Sequence, residues 1–415
     1  MLGSRSFFRK DSNTVKAIAS RLSAAQASSG LASGVFTPFF GAWLAWRGLS
    51  PDQIAVLLSS GLLLRALVGP ASGIIADARN DRRTAMIVLY CVVLIGYGAL
   101  NFTKLPLLLF LAAVPATVAS GAVQPLLESV SVRLSERYGF NYGRVRLCAS
   151  AAFVAGTILS GICISSYGMW VMAPLLTGAI ALCLIATVSL PAPPPDHPRG
   201  DLAVRLRVTL GETRELMRSS VFLVFLAAVS FVQASHAFYY SYGGLHWQTL
   251  GYSGALIGIL WPLGVFAEIA LFSQALRVLR VVGPSRLLLF GGLGCAVRWT
   301  ILAFDPPLPL VVVAQFLHGT TFALAHLGAM YFILRAVPSR LAATAQSLYF
   351  VCSAGLMMGF ATYASGSLYA VYGGRVYLLM AAMGVAAMVF ALLLARHWHG
   401  ERIIHSAYEE HTDTI

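Results

Sequence analysis

The stretch QFLHGTTFALAH, residues 315–326, carries two imidazoles and no formal charge. His318 and His326 are eight residues apart, about 12 Å along a helix at 1.5 Å per residue, too far to grip one metal ion as an i, i+4 pair does. A metal centre is not expected. Imidazoles titrate near neutrality, so the chemistry that suits them in apolar surroundings is proton transfer. With Gln315 and Phe322 they follow i, i+3, i+7 and i+11 spacing, an arc of about 80° on one helical face. Two core histidines bonded to neighbouring helices would share that spacing, so their company matters.

Six further ionisable groups fall in apolar stretches: Arg65, Glu128, Arg146, His236, Glu268 and Arg298. Each is expensive in hydrocarbon and is a functional candidate for that reason. If the chain turns near Gly139, Glu128 lies eleven residues before the turn and Arg146 seven after it, so the two can pair; a purely structural pair stays open. Arg144 is two residues earlier, about 200° around the helix, and is expected to snorkel outward. Trp261 and Gly264 share a face with Glu268, and Gln233, Tyr240 and Trp247 share one with His236. Trp247 and His246 could instead belong to an interfacial belt.

The elements that position these groups are membrane spans. The chain has 415 residues, 58% hydrophobic and only 11% charged, against about 25% charged in an ordinary soluble domain. Apolar runs of about 20 residues, each long enough to cross a bilayer, recur from residue 21 to 396 and number twelve. Residues 220–247, 308–335 and 341–370 each read as one continuous helix. The absence of alternating-polarity segments argues against an outer-membrane barrel. The expected fold is therefore all-α, with twelve transmembrane helices in two six-helix bundles.

The net charge of +13 could suggest nucleic acid, but 24 of the 29 Lys and Arg fall on one side of the twelve spans. That asymmetry reports topology and puts both termini in the cytoplasm. No nucleic-acid partner is expected. The six cysteines lie in apolar spans without CxxC spacing, so neither disulfides nor zinc is expected. Ala25-Gln26-Ala27 mimics a signal-peptidase site, but Lys16 and Arg21 interrupt any apolar region before it, and the N-terminus is expected to be retained. The tail HWHGERIIHSAYEEH reads as solvated rather than metal-binding. No GxSxG or HExxH motif points to an enzyme.

The proline-rich start of residues 191–218 cannot be helix interior and its basic remainder reads as partly helical. It divides the chain into a first bundle (1–190), a cytoplasmic linker (191–218), a second bundle (219–400) and a cytoplasmic tail (401–415). Such a 6+6 plan, with substrate bound between the halves, is common among transporters.

Two sets of residues carry a family resemblance. Gly73-Ile-Ile-Ala-Asp77-Ala-Arg79-Asn-Asp81-Arg82-Arg83 resembles the loop motif of the major facilitator superfamily, with Ala78 and Asp81 departing from its usual pattern. Physically, Gly73 would allow close helix approach, and Asp77, with Arg82 and Arg83, would latch one conformation. From YGRVRL (142–147) through VQASHAFYYSY (232–242), YSGALIGILWPLGVFAEIALF (252–272) and AVRWTI (296–301) to FLHGTTFALAHLGAMYFI (316–333), the chain looks like the 3-phenylpropionate permeases, a family close to the lactose permeases.

The resemblance implies a proton-coupled uptake symporter of the bacterial inner membrane, working by alternating access as a monomer and needing no cofactor beyond the proton gradient. Glu128 and Arg146 match the substrate-binding pair of lactose permease, and Arg298 and His318 its proton-coupling pair. Gln315 and Thr321 replace the Lys and Glu flanking that His, and the span-7 aspartates are missing around His236. Glu268 is the obvious substitute for the missing carboxylate, with His326 and His236 beside it as in the phenylpropionate-type sequences.

Three Arg against two Glu in the spans leave a surplus of +1, which fits an anionic small-molecule substrate. Arg146, Arg65 or Arg298 is expected to receive its carboxylate, with Tyr239, Tyr240, Trp261 and Phe322 packing on an aromatic body. A facilitator for a sugar or nucleoside, or a drug exporter, is the alternative; an integral-membrane enzyme or sensor is the remaining class.

Overall fold

The computed structural model describes residues 12–79, 81–191 and 202–404, and every regular element among them is helical. The first half holds α1 (Ser12–Trp46), α2 (Pro51–Arg79), α3 (Arg82–Ala99), α4 (Pro106–Tyr138), α5 (Tyr142–Tyr167) and α6 (Met172–Ser189). The helical stretch expected in the linker is α7 (Leu202–Met217). The second half continues with α8 (Ser220–Ala234), α9 (Ala237–Thr249), α10 (Gly254–Ser273), the short α11 (Ala275–Val281) and α12 (Pro284–Leu302). It ends with α13 (Leu308–Phe316), α14 (Ala325–Ala336), α15 (Ala342–Phe350), α16 (Met358–Tyr372) and α17 (Tyr377–His397).

Ten helical runs among the described residues are long and apolar enough to cross a bilayer. The sequence count of twelve differs for two reasons. The run Ser339–His397 contains two crossings, reversed at Gly373, whose φ of +55° suits a residue without Cβ. The other difference is α1, which is long enough, but whose Gln26, Ser28, Ser29 and Ser33 make it less apolar. Leu67, Ile95, Leu111 and Ile185 point outward and exposed, as hydrocarbon-facing side chains must in a span whose backbone is satisfied internally.

Three of the expected spans run through as helix but carry local irregularities. Between α8 and α9, Ser235 Oγ donates to the Val232 carbonyl at 2.7 Å, and His236 Nδ1 lies 3.2 and 3.1 Å from the Val232 and Gln233 carbonyls. Those side chains occupy acceptors that a continuous helix would use, so the helix bends there. A π turn, Gly319–Leu324, separates α13 from α14, and another, Val351–Met357, separates α15 from α16. Wide turns of this kind are frequent at functional positions.

The halves meet closely at one end. A Cβ on Gly244 of α9 would lie 1.8 Å from the Pro38 carbonyl of α1, and one on Gly41 of α1 would lie 1.9 Å from the Ser241 carbonyl of α9. Only glycine at both positions lets the backbones touch. The start of α10 abuts the end of α5 in the same manner, and Tyr242 OH donates to the Pro51 carbonyl at 2.7 Å. Between the halves lies a cavity.

Candidate functional site

That cavity has a volume of about 670 Å³ and takes its walls from both halves. Arg65, Arg146, Glu268, His318 and His326 line it.

The first-half cluster is built by the α4–α5 hairpin. Gly139 ends α4 with φ +71°, a left-handed conformation that glycine adopts without strain. Asn141 then caps α5, its Oδ1 accepting the Arg144 N–H. This tight reversal sets Arg146 Nε 3.0 Å from Glu128 Oε1. Gln124, one turn before Glu128, donates to the same oxygen at 3.1 Å, while Tyr142 OH and, at 3.5 Å, Gln26 Nε2 donate to Oε2. Ser29 Oγ donates to Gln124 Oε1 at 3.0 Å. The Arg146 side chain remains 44% exposed, so the pair adds little to stability and is free to exchange partners.

The second-half cluster is dry. Arg298 of α12 is fully buried. Its Nη1 lies 2.7 Å from His318 Nδ1 and 3.2 Å from Thr321 Oγ1, and its Nη2 lies 3.1 Å from Gln315 Oε1. A guanidinium can only donate, so His318 Nδ1 must accept. The imidazole proton is then on Nε2, which lies 2.8 Å from Glu268 Oε1 and donates to it. Arg298, His318 and Glu268 thus form one donor-to-acceptor line from the helix packing to the cavity. His236, with Nδ1 on the backbone carbonyls, presents Nε2 to the Thr321 hydroxyl at 3.0 Å and buttresses the line. Gly264 makes room for it, since a Cβ there would meet His318 Cδ2 at 2.8 Å.

Aromatic rings form the adjoining wall. Tyr239 and Trp261 stack with centroids 4.2 Å apart, and the Arg298 guanidinium lies 5.0 Å from the Tyr239 ring and 4.4 Å from Trp299. These contacts compensate the buried cation in part. Tyr240 stacks on His236 at 5.5 Å, and Phe322 lies between His318 and His326, at 5.5 and 6.2 Å. His326 Nδ1 is 3.4 Å from Tyr349 OH, which also accepts from Gln233 Nε2 at 3.1 Å.

Residues 31–380 match the MFS_1 like family. The chain belongs to it, within the major facilitator superfamily. A protein of Escherichia coli (strain K12) named "Probable 3-phenylpropionic acid transporter" is 31% identical over 358 residues, 86% of this chain and 92% of its own length. The maltose permease of Geobacillus stearothermophilus is 27% identical over 369 residues, 88% of this chain and 91% of its own. The crystal structure of the nucleoside transporter NupG shares the fold, with a TM-score of 0.75 at 16% identity, covering 92% of this chain and all of that one. This facilitator is therefore a multi-pass membrane transporter.

Within this facilitator, the expected coupling residues Glu268, Arg298, His318 and His236 converge on one network, and His326 lies beyond Phe322 on the same cavity wall. The first-half pair is also together. Tyr239, Tyr240, Trp261 and Phe322 line the cavity. Arg65 lines it too, but its Nη2 donates to the Ala354 carbonyl of the second half at 2.9 Å. Gln315 keeps to the His318 face, since both side chains meet Arg298, and it is buried there against Tyr239.

The loop motif behaves differently from expectation at Gly73, where nothing lies within 4 Å of a Cβ position; it makes no close helix contact. Arg82 is buried, Arg83 donates to the Val188 carbonyl at the end of α6 in its own half, and the Asp77 side chain lies outside what is described. His246 and Trp247 are buried rather than interfacial, with His246 Nε2 2.7 Å from Asp305 Oδ1. All six cysteines are free. Sequence reasoning passed over Gln124, Tyr142 and Tyr349. Gln124 was readable as the i−4 neighbour of Glu128, whereas nothing in the sequence singles out Tyr349.

Proposed function

We propose that this facilitator takes up a small aromatic carboxylate of the phenylpropionate type together with a proton across the bacterial inner membrane. The observation that carries this reading is the Arg298, His318, Glu268 line ending at a cavity whose fixed charges sum to +1. Glu268 is the proton carrier. His318, held in one tautomer by Arg298, hands its Nε2 hydrogen bond to the ionised carboxylate and keeps it aimed into the cavity. A substrate carboxylate entering the same enclosed space favours protonation of Glu268, since like charges in a poorly solvated site oppose each other. By linkage the proton then favours substrate to the same degree. One proton with one monoanion moves no net charge.

Alternating access requires the close α1–α9 and α5–α10 contacts to part during the cycle. The aromatic wall of Tyr239, Tyr240, Trp261 and Phe322 receives the apolar body of the substrate. The name of the Escherichia coli relative supports this substrate class.

A sugar is the second reading. The hydrogen-bonding groups around Glu128, namely Gln26, Gln124 and Tyr142, suit hydroxyls, and one relative is a maltose permease. Uptake of labelled 3-phenylpropionate and of maltose into proteoliposomes under an imposed pH gradient decides between them. Accumulation of the acid, collapsing when the gradient is dissipated, is expected; accumulation of maltose alone would overturn the carboxylate reading.

A further inference from the structure

We propose that Arg65 is the group that receives the substrate's carboxylate, and that it does so by releasing the Ala354 carbonyl of the opposite half. This rests on the carboxylate reading above and names the one cation among three that does the binding.

The three guanidinium groups differ in how their charge is met. Arg146 faces Glu128 at 3.0 Å. Arg298 is fully buried and leads through His318 to Glu268, so a substrate cannot reach it without dismantling the relay. Arg65 lines the cavity, and its hydrogen-bond partner is a neutral carbonyl, Ala354 O at 2.9 Å. Among the described residues it has no carboxylate within 4 Å. Two arginines are thus matched by two glutamates, and the surplus positive charge is located on Arg65. A carbonyl oxygen offers a guanidinium one partial charge, whereas a carboxylate offers a full charge and two acceptors in a matching fork.

The position of Arg65 is also fixed from below. A Cβ on Gly121 of α4 would lie 1.8 Å from Arg65 Cδ and 2.6 Å from Cγ, so the aliphatic stem runs in a groove that only glycine provides. Phe36, Leu62 and Tyr97 line the same cavity beside it, with the Phe36 and Tyr97 rings 5.8 Å apart. An aryl group attached to the bound carboxylate has an apolar wall within reach.

The carbonyl that Arg65 holds belongs to the π turn of residues 351–357, and next to it a Cβ on Gly355 would lie 2.5 Å from the Ala66 Cβ. Trading Ala354 for a substrate oxygen therefore removes a hydrogen bond between the halves at the moment the anion arrives. Binding and the release of one inter-half tie share a single side chain.

The test compares binding of 3-phenylpropionate with that of its neutral amide, by thermal shift and calorimetry on full-length purified protein, for the wild type and Arg65→Gln, Arg65→Lys, Gly121→Ala and Arg146→Gln. The wild type is expected to prefer the acid. Arg65→Gln should lose that preference by about tenfold or more, the loss falling on the acid more than on the amide, and Arg65→Lys should restore part of it. Arg146→Gln should weaken acid and amide alike and keep the preference. Gly121→Ala, which retains the charge but moves it, should reduce acid binding severalfold, and this variant decides the matter if Arg65→Gln does not fold. Full acid preference in Arg65→Gln or Gly121→Ala, or its loss in Arg146→Gln instead, would overturn the assignment of Arg65 alone. A wild type that does not prefer the acid would overturn the carboxylate reading from which it follows.

Discussion

The two polar clusters use the same chemistry, a guanidinium and a glutamate joined by neutral hydrogen-bonding side chains, yet one is wet and the other dry. Arg146 is 44% exposed while Arg298 is fully buried. Glu128 collects donors from Gln26, Gln124 and Tyr142, and of these Gln124 lines the cavity. Glu268 lines the cavity and accepts from an imidazole whose tautomer is fixed from behind. The difference teaches that charge pairs alone do not make a coupling device. On the function proposed above, the ligand site has partners that can leave and the proton site has partners that stay.

The sharpest way to break this contrast is Glu268→Gln. It should abolish accumulation of substrate against a gradient under an imposed pH difference and leave exchange between equal concentrations intact, as measured in proteoliposomes; accumulation by this variant would remove Glu268 as carrier.

Next in size is stability. Arg298→Met leaves Glu268 and His318 without their buried cation, and breaking such an arrangement costs about 3–5 kcal/mol. Arg146→Gln, in the wet cluster, should cost less than about 1 kcal/mol. Melting of the two variants in detergent compares the clusters directly, and equal losses would mean that burial is not what separates them. Third, Glu128→Gln should weaken substrate binding about tenfold, or about 1.4 kcal/mol, with the ratio of protons to substrate unchanged. A changed ratio would place Glu128 in the relay.

The smallest effect lies outside both clusters, where Arg340 forms an ion pair with Glu215 of α7 and Thr344 donates to Glu212. The Arg340 guanidinium holds the Glu215 carboxyl below the usual carboxylate range. A carboxyl lowered by folding adds stability that is fully present above its unfolded value, about 4.3, and is lost as pH falls through its folded value. Glu215→Gln should therefore lower stability slightly at pH 7, by about a few tenths of a kcal/mol for an exposed pair, read as a small drop in melting temperature. At pH 3 the difference from wild type should shrink.

Much of the site was legible because it depends on short range. Glu128 and Arg146 face each other because a single Gly139 turn sets their depth, and that distance can be counted along the chain. Arg298 and His318 were placed by resemblance, and Glu268 by its depth in an apolar run. The stripe of His318, Phe322 and His326 lines the cavity even though the π turn beginning at Gly319 departs from 100° per residue. The irregularity at Ser235 and His236 was hidden, since their competition for the Val232 carbonyl depends on side-chain geometry that hydropathy does not record. Gly73 shows the converse, a motif residue whose expected close contact is not made.

The sequence by itself determined how many times the chain can enter a bilayer, which end carries its basic turns, and which costly groups must find partners, because transfer of apolar and charged side chains into hydrocarbon is a property of each residue and its near neighbours. Tertiary structure alone decided that His318 turns Nε2 to Glu268 and Nδ1 to Arg298, and that Arg65 of the first half rests on a carbonyl of the second. Those outcomes follow from directional contacts between separate helices, and such contacts exist only once the bundles have packed.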